Sequence, residues 1–234
     1  MVKQLLSKWQ SGKTYYFRQE HLTEGDMQTE LLCGVIMVLV MMGYLKFSLA
    51  QDEFEFRKIM LFVPLGANAA WGIIDGIMYV LLNLRERTKK SRLLSLIKSY
   101  KDENDAFSLI KKGFDSRFID LLSQETQTNV YREILKKLNE STIEIPEGVT
   151  KSDLRIILTT FTIVISAGIP LLIPFIVLND VLLAIRISHI IGLVMLFCIG
   201  YWWAKRASRH KIRSAISLTL LGLIIVAMTQ ILHG

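Results

Sequence analysis

The chain has 234 residues, 51% of them hydrophobic, with a mean hydropathy of +0.38 and its charges gathered in blocks between long uncharged runs. That pattern excludes an ordinary soluble domain and describes a polytopic membrane protein. The net charge of +7 invites a nucleic-acid reading, but where the charges lie assigns them to membrane orientation, and no nucleic-acid partner is expected.

Function classes that depend on soluble-enzyme chemistry find no foothold. The two cysteines, Cys33 and Cys198, both sit in apolar runs and read as small hydrophobes rather than a disulfide framework. The four histidines, His21, His189, His210 and His233, form no local cluster. No phosphate-binding loop, dinucleotide glycine fingerprint or serine elbow occurs. Neither an enzyme nor a bound cofactor is expected.

In chain order, residues 1–29 form a polar, cytoplasmic amphipathic arm. Val2, Leu5, Leu6 and Trp9 follow helical spacing, with Lys3, Lys8 and Lys13 mostly on other faces. That suits a short helix lying on an anionic leaflet, or equally an arm packed on protein. No signal peptide is expected, because the first apolar run begins near Leu31 and lacks a small-residue cleavage site. Residues 30–84 hold the first two spans, about 31–49 (with Lys46 snorkelling at its far end) and 59–83. Residues 85–153 read as a helical cytoplasmic insert, with amphipathic pieces at 85–101, 106–112, 118–122 and 130–138. Residues 154–234 supply three further spans, about 156–178, 181–204 and 215–232. Each approaches the roughly 20 residues that a bilayer requires. The third contains Pro170 and Pro174, read as interruptions of the helix that free backbone carbonyls.

Lys and Arg number 4 in the amino-terminal arm, 15 between Arg85 and Arg155, and 5 between Lys205 and Arg213. Since cytoplasmic loops collect these residues, the amino terminus is expected inside and the carboxy terminus outside. A prokaryotic plasma membrane is the expected host.

The candidate chemistry lies in the stretch LGANAAWGIIDGIMYVLLN, residues 65–83, which carries Asp75 in an apolar helix. An aspartate at a helix centre costs about 2.5–3.5 kcal/mol on insertion scales, so an intramembrane acid is a functional hypothesis by default. At helical spacing Asn68, Trp71 or Gly72, Asp75 and Met78 or Tyr79 share a face. Gly72 and Gly76 form a small-xxx-small pair that admits a close neighbouring helix. Asp75 could alternatively be a structural acid hydrogen-bonded to a neighbour or paired with Arg186, itself read as an interfacial anchor. Glu30, at the cytoplasmic mouth of the first span, suits a divalent ion, or is a helix-start acid favoured by the dipole. Met37, Met41 and Met42 read as core filler or as a soft-metal path. The acids of the insert are scattered among more numerous bases and read as solvated surface.

The last three spans, with the Gly168-Ile-Pro170-Leu171 to Pro174 segment, the Gly200-Tyr201 end of the fourth span and a glycine-bearing fifth, resemble the vacuolar iron transporter family. The Asp75-Gly76 pair is similar to that family's Asp-Gly helix. The resemblance implies a homodimeric carrier that exchanges ferrous iron or manganese for protons, with Asp75 on the path. A Met-x-x-Gly-Glu-Tyr-type helix does not follow the Asp-Gly helix, and the insert lacks glutamate-rich helices.

The expected protein is therefore an all-α integral membrane protein of five transmembrane helices, with a small helical cytoplasmic insert between spans two and three. Its expected partners are the bilayer, a second copy of the chain, a transported divalent metal ion and protons. The metal-site set is Asp75, Asn68, Glu30, Met37 and Met78. The rival is a non-transporting scaffold or regulator that uses the same fold for dimerisation and partner binding.

Overall fold

A computed structural model of the chain describes residues 22–45, 53–100, 102–113, 121–140, 145–146, 148–206 and 210–231. The arm helix expected around Val2 to Trp9, the snorkelling Lys46 and most of the 118–122 piece lie outside the described residues. Among those described, every regular element is an α-helix: α1 (Glu24–Leu45), α2 (Glu53–Ser99), α3 (Glu103–Gly113), α4 (Gln124–Glu140), α5 (Lys151–Val177), α6 (Val181–Arg206) and α7 (Lys211–Ile231). Five of them, α1, α2, α5, α6 and α7, are long and apolar enough to cross a membrane. The protein is an all-α, multi-pass membrane protein, and α3 and α4 fall between spans two and three. The chain divides into two compact units: Glu20–Tyr79 with Ser152–Gly234, and a second whose described residues fall in Val80–Lys151.

In the first unit, α1 begins on a reciprocal cap. Thr23 Oγ1 accepts from the Asp26 N–H (3.1 Å), and Asp26 Oδ2 accepts from the Thr23 N–H (2.9 Å). The helix therefore starts at Glu24, inside the stretch read as a polar arm. Asp180 caps α6, its Oδ1 accepting from the N–H groups of Leu182 (2.9 Å) and Leu183 (3.1 Å). The core joins Val35, Val38, Leu39 and Met42 of α1 to Met60 of α2, Leu171 and Phe175 of α5, and Leu196 of α6. Met42 is thus core filler, one of the two readings open for the methionines of the first span.

Lipid is as apolar as leucine, so these helices associate through close packing more than through escape from water. The glycines of α2 permit it. A Cβ on Gly72 would lie 2.8 Å from the Phe161 Cα, and one on Gly76 would lie 2.7 Å from the Ile157 Cα. The small-xxx-small pair is therefore the surface on which α2 meets α5. Across α5 and α6, Ser188 Oγ donates to the Leu171 carbonyl at 2.6 Å.

Two sequence expectations about helix ends are corrected. Pro170 and Pro174 do not interrupt the third span, because α5 runs unbroken from Lys151 through both. The helical ladder resumes past them, with the Leu178 N–H donating to the Pro174 carbonyl at 2.9 Å. Packed neighbours make such prolines tolerable in a spanning helix. The second span, bounded at about residue 83, and the amphipathic piece expected at 85–101 are one continuous helix. The 47 residues of α2 extend about 70 Å at ~1.5 Å per residue, well beyond a hydrocarbon core of ~30 Å. From Leu84 to Ser99 there is neither Gly nor Pro to stop it, and Glu86 pairs with Lys90 one turn on at 3.6 Å.

The second unit is built on that extension. Leu94 and Ile97 of α2, Ile110 of α3, and Tyr131 and Leu138 of α4 form its core. The Phe107 and Tyr131 rings pack with centroids 5.8 Å apart. Arg87, only 4% exposed, donates to the carbonyls of Asn83 and Gly148 at 3.4 Å each.

Gly76→Ala is expected to lower the midpoint of thermal unfolding in detergent, because overpacking against a backbone typically costs about 1–3 kcal/mol. Gly66, where an added methyl would meet nothing within 4 Å, provides the contrast. Gly66→Ala should leave the midpoint unchanged or raise it, by up to about 1 kcal/mol from helix propensity. Equal shifts for the two variants, read by differential scanning fluorimetry, would contradict the close α2–α5 packing.

Candidate functional site

Three buried polar side chains lie on α1 and the apolar part of α2, where an apolar helix pair would have none. The first is Asn68, fully buried on α2. Its Nδ2 donates to the carbonyl of Gly34 on α1 (3.2 Å) and to that of Val164 on α5 (2.9 Å). One amide thus ties three spanning helices together. Its Oδ1 is buried and has no hydrogen-bond partner among the described groups.

The second is Glu30, 3% exposed, in the second turn of α1. Its Oε1 accepts from the Tyr79 hydroxyl at 2.9 Å, and its Oε2 is buried without a partner among the described groups. Asp75, one turn before Tyr79 on α2, is half-buried and brings its carboxyl within interacting reach of Glu30 and of the Trp71 indole. Helical geometry explains the assembly. Trp71, Asp75 and Tyr79 follow one another at four-residue spacing, and Gly72 and Gly76 beside them let α2 sit close to its neighbour. The third is Gln28, 5% exposed, whose Nε2 has no partner among the described groups.

Of the five residues expected to form the metal site, then, Glu30 and Asp75 come together. Asn68 lies seven residues back along α2, roughly 10 Å deeper. Met37 is half-buried on α1, seven residues and again roughly 10 Å from Glu30. Met78 is 50% exposed and turned away from the pair, so the residue completing the Asp75 face is Tyr79. Sequence spacing left Met78 and Tyr79 open, because positions i+3 and i+4 straddle the direction of Asp75. Gln28 gave no signal, since a glutamine in a helix start reads as solvated. The alternative pairing of Asp75 with Arg186 does not form: Arg186 is exposed and makes no ion pair with a described residue. Both Cys33 and Cys198 are free thiols. Among the described residues, no three His, Cys, Asp or Glu side chains come together as a metal-holding group.

Chemically, two carboxyls side by side in a spanning region bind a cation or protons far better than they bear two unanswered charges. Tyr79 fixes one oxygen of Glu30 and leaves the other for whatever enters. The remainder of the chain supplies the family. A model of the VIT family matches residues 98–233. The chain belongs to the VIT family, the vacuolar iron transporters. No curated protein matches it individually. The match covers most of the insert and the last three spans, so VIT membership rests on the housing, while Glu30, Asn68, Asp75 and Tyr79 all precede the matched stretch. The VIT family is a family of transporters.

The tie at Asn68 generates a stability test. Asn68→Leu deletes two interhelical hydrogen bonds that in membranes average about 0.6 kcal/mol each, and should lower stability by about 1–2 kcal/mol. Asn68→Asp should cost more, because a carboxylate presents only acceptors to two carbonyls. Unfolding of the purified protein in increasing fractions of denaturing detergent ranks the variants, and an Asp variant as stable as wild type would break the assignment.

Proposed function

We propose that this VIT protein carries divalent metal ions, iron or manganese, across the membrane in exchange for protons, with Glu30 and Asp75 as the pair that binds both. The observation that carries the reading is the carboxyl pair, Glu30 buried and Asp75 half-buried, with one Glu30 oxygen held by Tyr79 and the other without a partner among the described groups. Two carboxylates balance one dication or two protons, so metal and protons compete for the same charge and exchange becomes obligatory. Hard oxygen ligands suit manganese and ferrous iron.

On this reading Asn68 offers its free Oδ1 as a neutral oxygen deeper along α2, and Met37 offers a soft thioether two turns along α1 from Glu30. A first-row metal ion of this kind is commonly six-coordinate, and one chain supplies two carboxylates. A second copy related by a two-fold axis would double that number, which favours a homodimer. Met78, on the outward face of α2, would serve only in such an assembly. On the same reading the amino terminus lies inside and the carboxy terminus outside, a proposal supported by the distribution of Lys and Arg, and the proposed host is a prokaryotic plasma membrane.

The test is uptake of ferrous and manganous ions into proteoliposomes under an imposed pH gradient. Asp75→Asn and Glu30→Gln should each reduce the initial rate by more than about tenfold while the protein remains monodisperse. Tyr79→Phe, which removes the group orienting Glu30, should weaken apparent metal affinity about 10–100-fold, as outer-shell substitutions do. A scaffold would transport nothing and would tolerate or gain from Asp75→Asn. Gradient-driven uptake unaffected by that substitution would remove Asp75 from the path.

A further inference from the structure

A second binding feature, independent of the carboxyl pair, lies where α2 leaves its apolar run. Leu81 and Leu82 are each 53% exposed. Beyond them, Arg85, Lys89 and Arg92 are exposed on the same side of the helix, at four- and three-residue spacing. Arg87, by contrast, points the other way and is buried in the second unit. The exposed stripe therefore changes abruptly from leucine to cation within one continuous helix.

The charges on this stripe are not neutralised by the described residues. Glu86 is the one acid between Leu84 and Lys101, and it pairs with Lys90 at 3.6 Å. Arg85, Lys89 and Arg92 form no ion pair with any described residue. Leu82 and Lys89 are seven residues apart, about 10 Å along the axis. The headgroup zone of one leaflet is some 5–8 Å deep, the difference between a hydrocarbon core of ~30 Å and a bilayer of ~40–45 Å shared over two sides. With the leucines in hydrocarbon, the guanidinium of Arg85 and the ammonium of Lys89 sit at phosphate level, and Arg92 is just beyond it, within reach of a projecting headgroup.

We propose that Arg85, Lys89 and Arg92 form a binding site for anionic phospholipid headgroups of the leaflet at which α2 emerges. Positive charge alone serves to orient a chain during insertion. This stripe does more, because its three cations share one face, have no counter-ion among the described residues, and continue a row of exposed leucines that lies against the acyl chains of the same lipid. An anionic lipid satisfies both parts at once, with acyl chains on Leu81 and Leu82 and phosphate on Arg85 and Lys89. A soluble anion would satisfy only the second part.

The test is native mass spectrometry of the full-length protein released from zwitterionic detergent, with added palmitoyl-oleoyl phosphatidylglycerol or the phosphatidylcholine of identical chains. Wild type should retain phosphatidylglycerol in preference. The triple variant Arg85→Gln, Lys89→Gln, Arg92→Gln should lose that preference, at about fivefold in affinity per cation and on the order of 100-fold for all three. Arg132→Gln with Lys136→Gln and Lys137→Gln, which removes three charges from α4, should retain it. Arg85→Lys with Arg92→Lys, which preserves charge, should also bind, and far-ultraviolet circular dichroism establishes that each variant is folded. The proposal is overturned by equal retention of the two lipids by wild type, or by equal losses in the two triple variants. Displacement of phosphatidylglycerol by inorganic phosphate at comparable concentration would also overturn it, because the site would then read the phosphate alone.

Discussion

A carboxylate inside a bilayer has to be answered by a donor, a proton or a cation, and much of the first unit follows from how Glu30 is answered. The answer comes from another helix, as the hydroxyl of Tyr79 at 2.9 Å. Because Asp75 lies one turn away on the same helix, the contact that satisfies one acid brings a second acid to it. The cost of that second charge in hydrocarbon is what recommends the pair as the candidate functional centre. The close approach of α2 to α5 at Gly72 and Gly76 fixes how α2 is turned, and so which of its side chains meet Glu30.

The sequence carried the architecture well because spanning helices announce themselves by length and hydropathy. All five expected spans are helices of sufficient length and apolarity. Asp75 and the glycine pair were also legible, since a charge or a small-residue pair inside an apolar run has few alternative explanations. Helix ends were less legible. Pro170 and Pro174 looked like breaks because proline removes a donor locally, yet whether a helix tolerates that is decided by its neighbours, which the sequence does not display. The second span and the 85–101 piece read as separate elements because hydropathy falls between them, but hydropathy reports solvent, and the helix continues to Ser99. Partners were the least legible of all. Nothing in the spacing of residues 24–45 pairs Glu30 with a tyrosine 49 positions away.

The family match and the site geometry speak to different halves of the chain. Residues 98–233 carry the VIT resemblance in the insert and the last three spans. The carboxyl pair and Asn68 belong to α1 and α2, before that stretch. Membership therefore sets the class of protein, while the chemistry rests on a local arrangement. That division is the usual one between a shared scaffold and the local site grafted on it.

The three-way tie at Asn68 also orders events in time. Gly34, one of its acceptors, precedes it by 34 residues, whereas Val164, the other, follows by 96. At translation rates of about 5–20 residues per second, the nascent chain waits roughly 5–20 seconds between the synthesis of Asn68 and that of Val164. During that interval the first two spans can pair, but the amide at their centre has only one of its two acceptors. The Asn68–Val164 bond is thus closed only after the whole insert has been made. A half-synthesised chain therefore carries an amide in lipid with one of its two acceptors still to come.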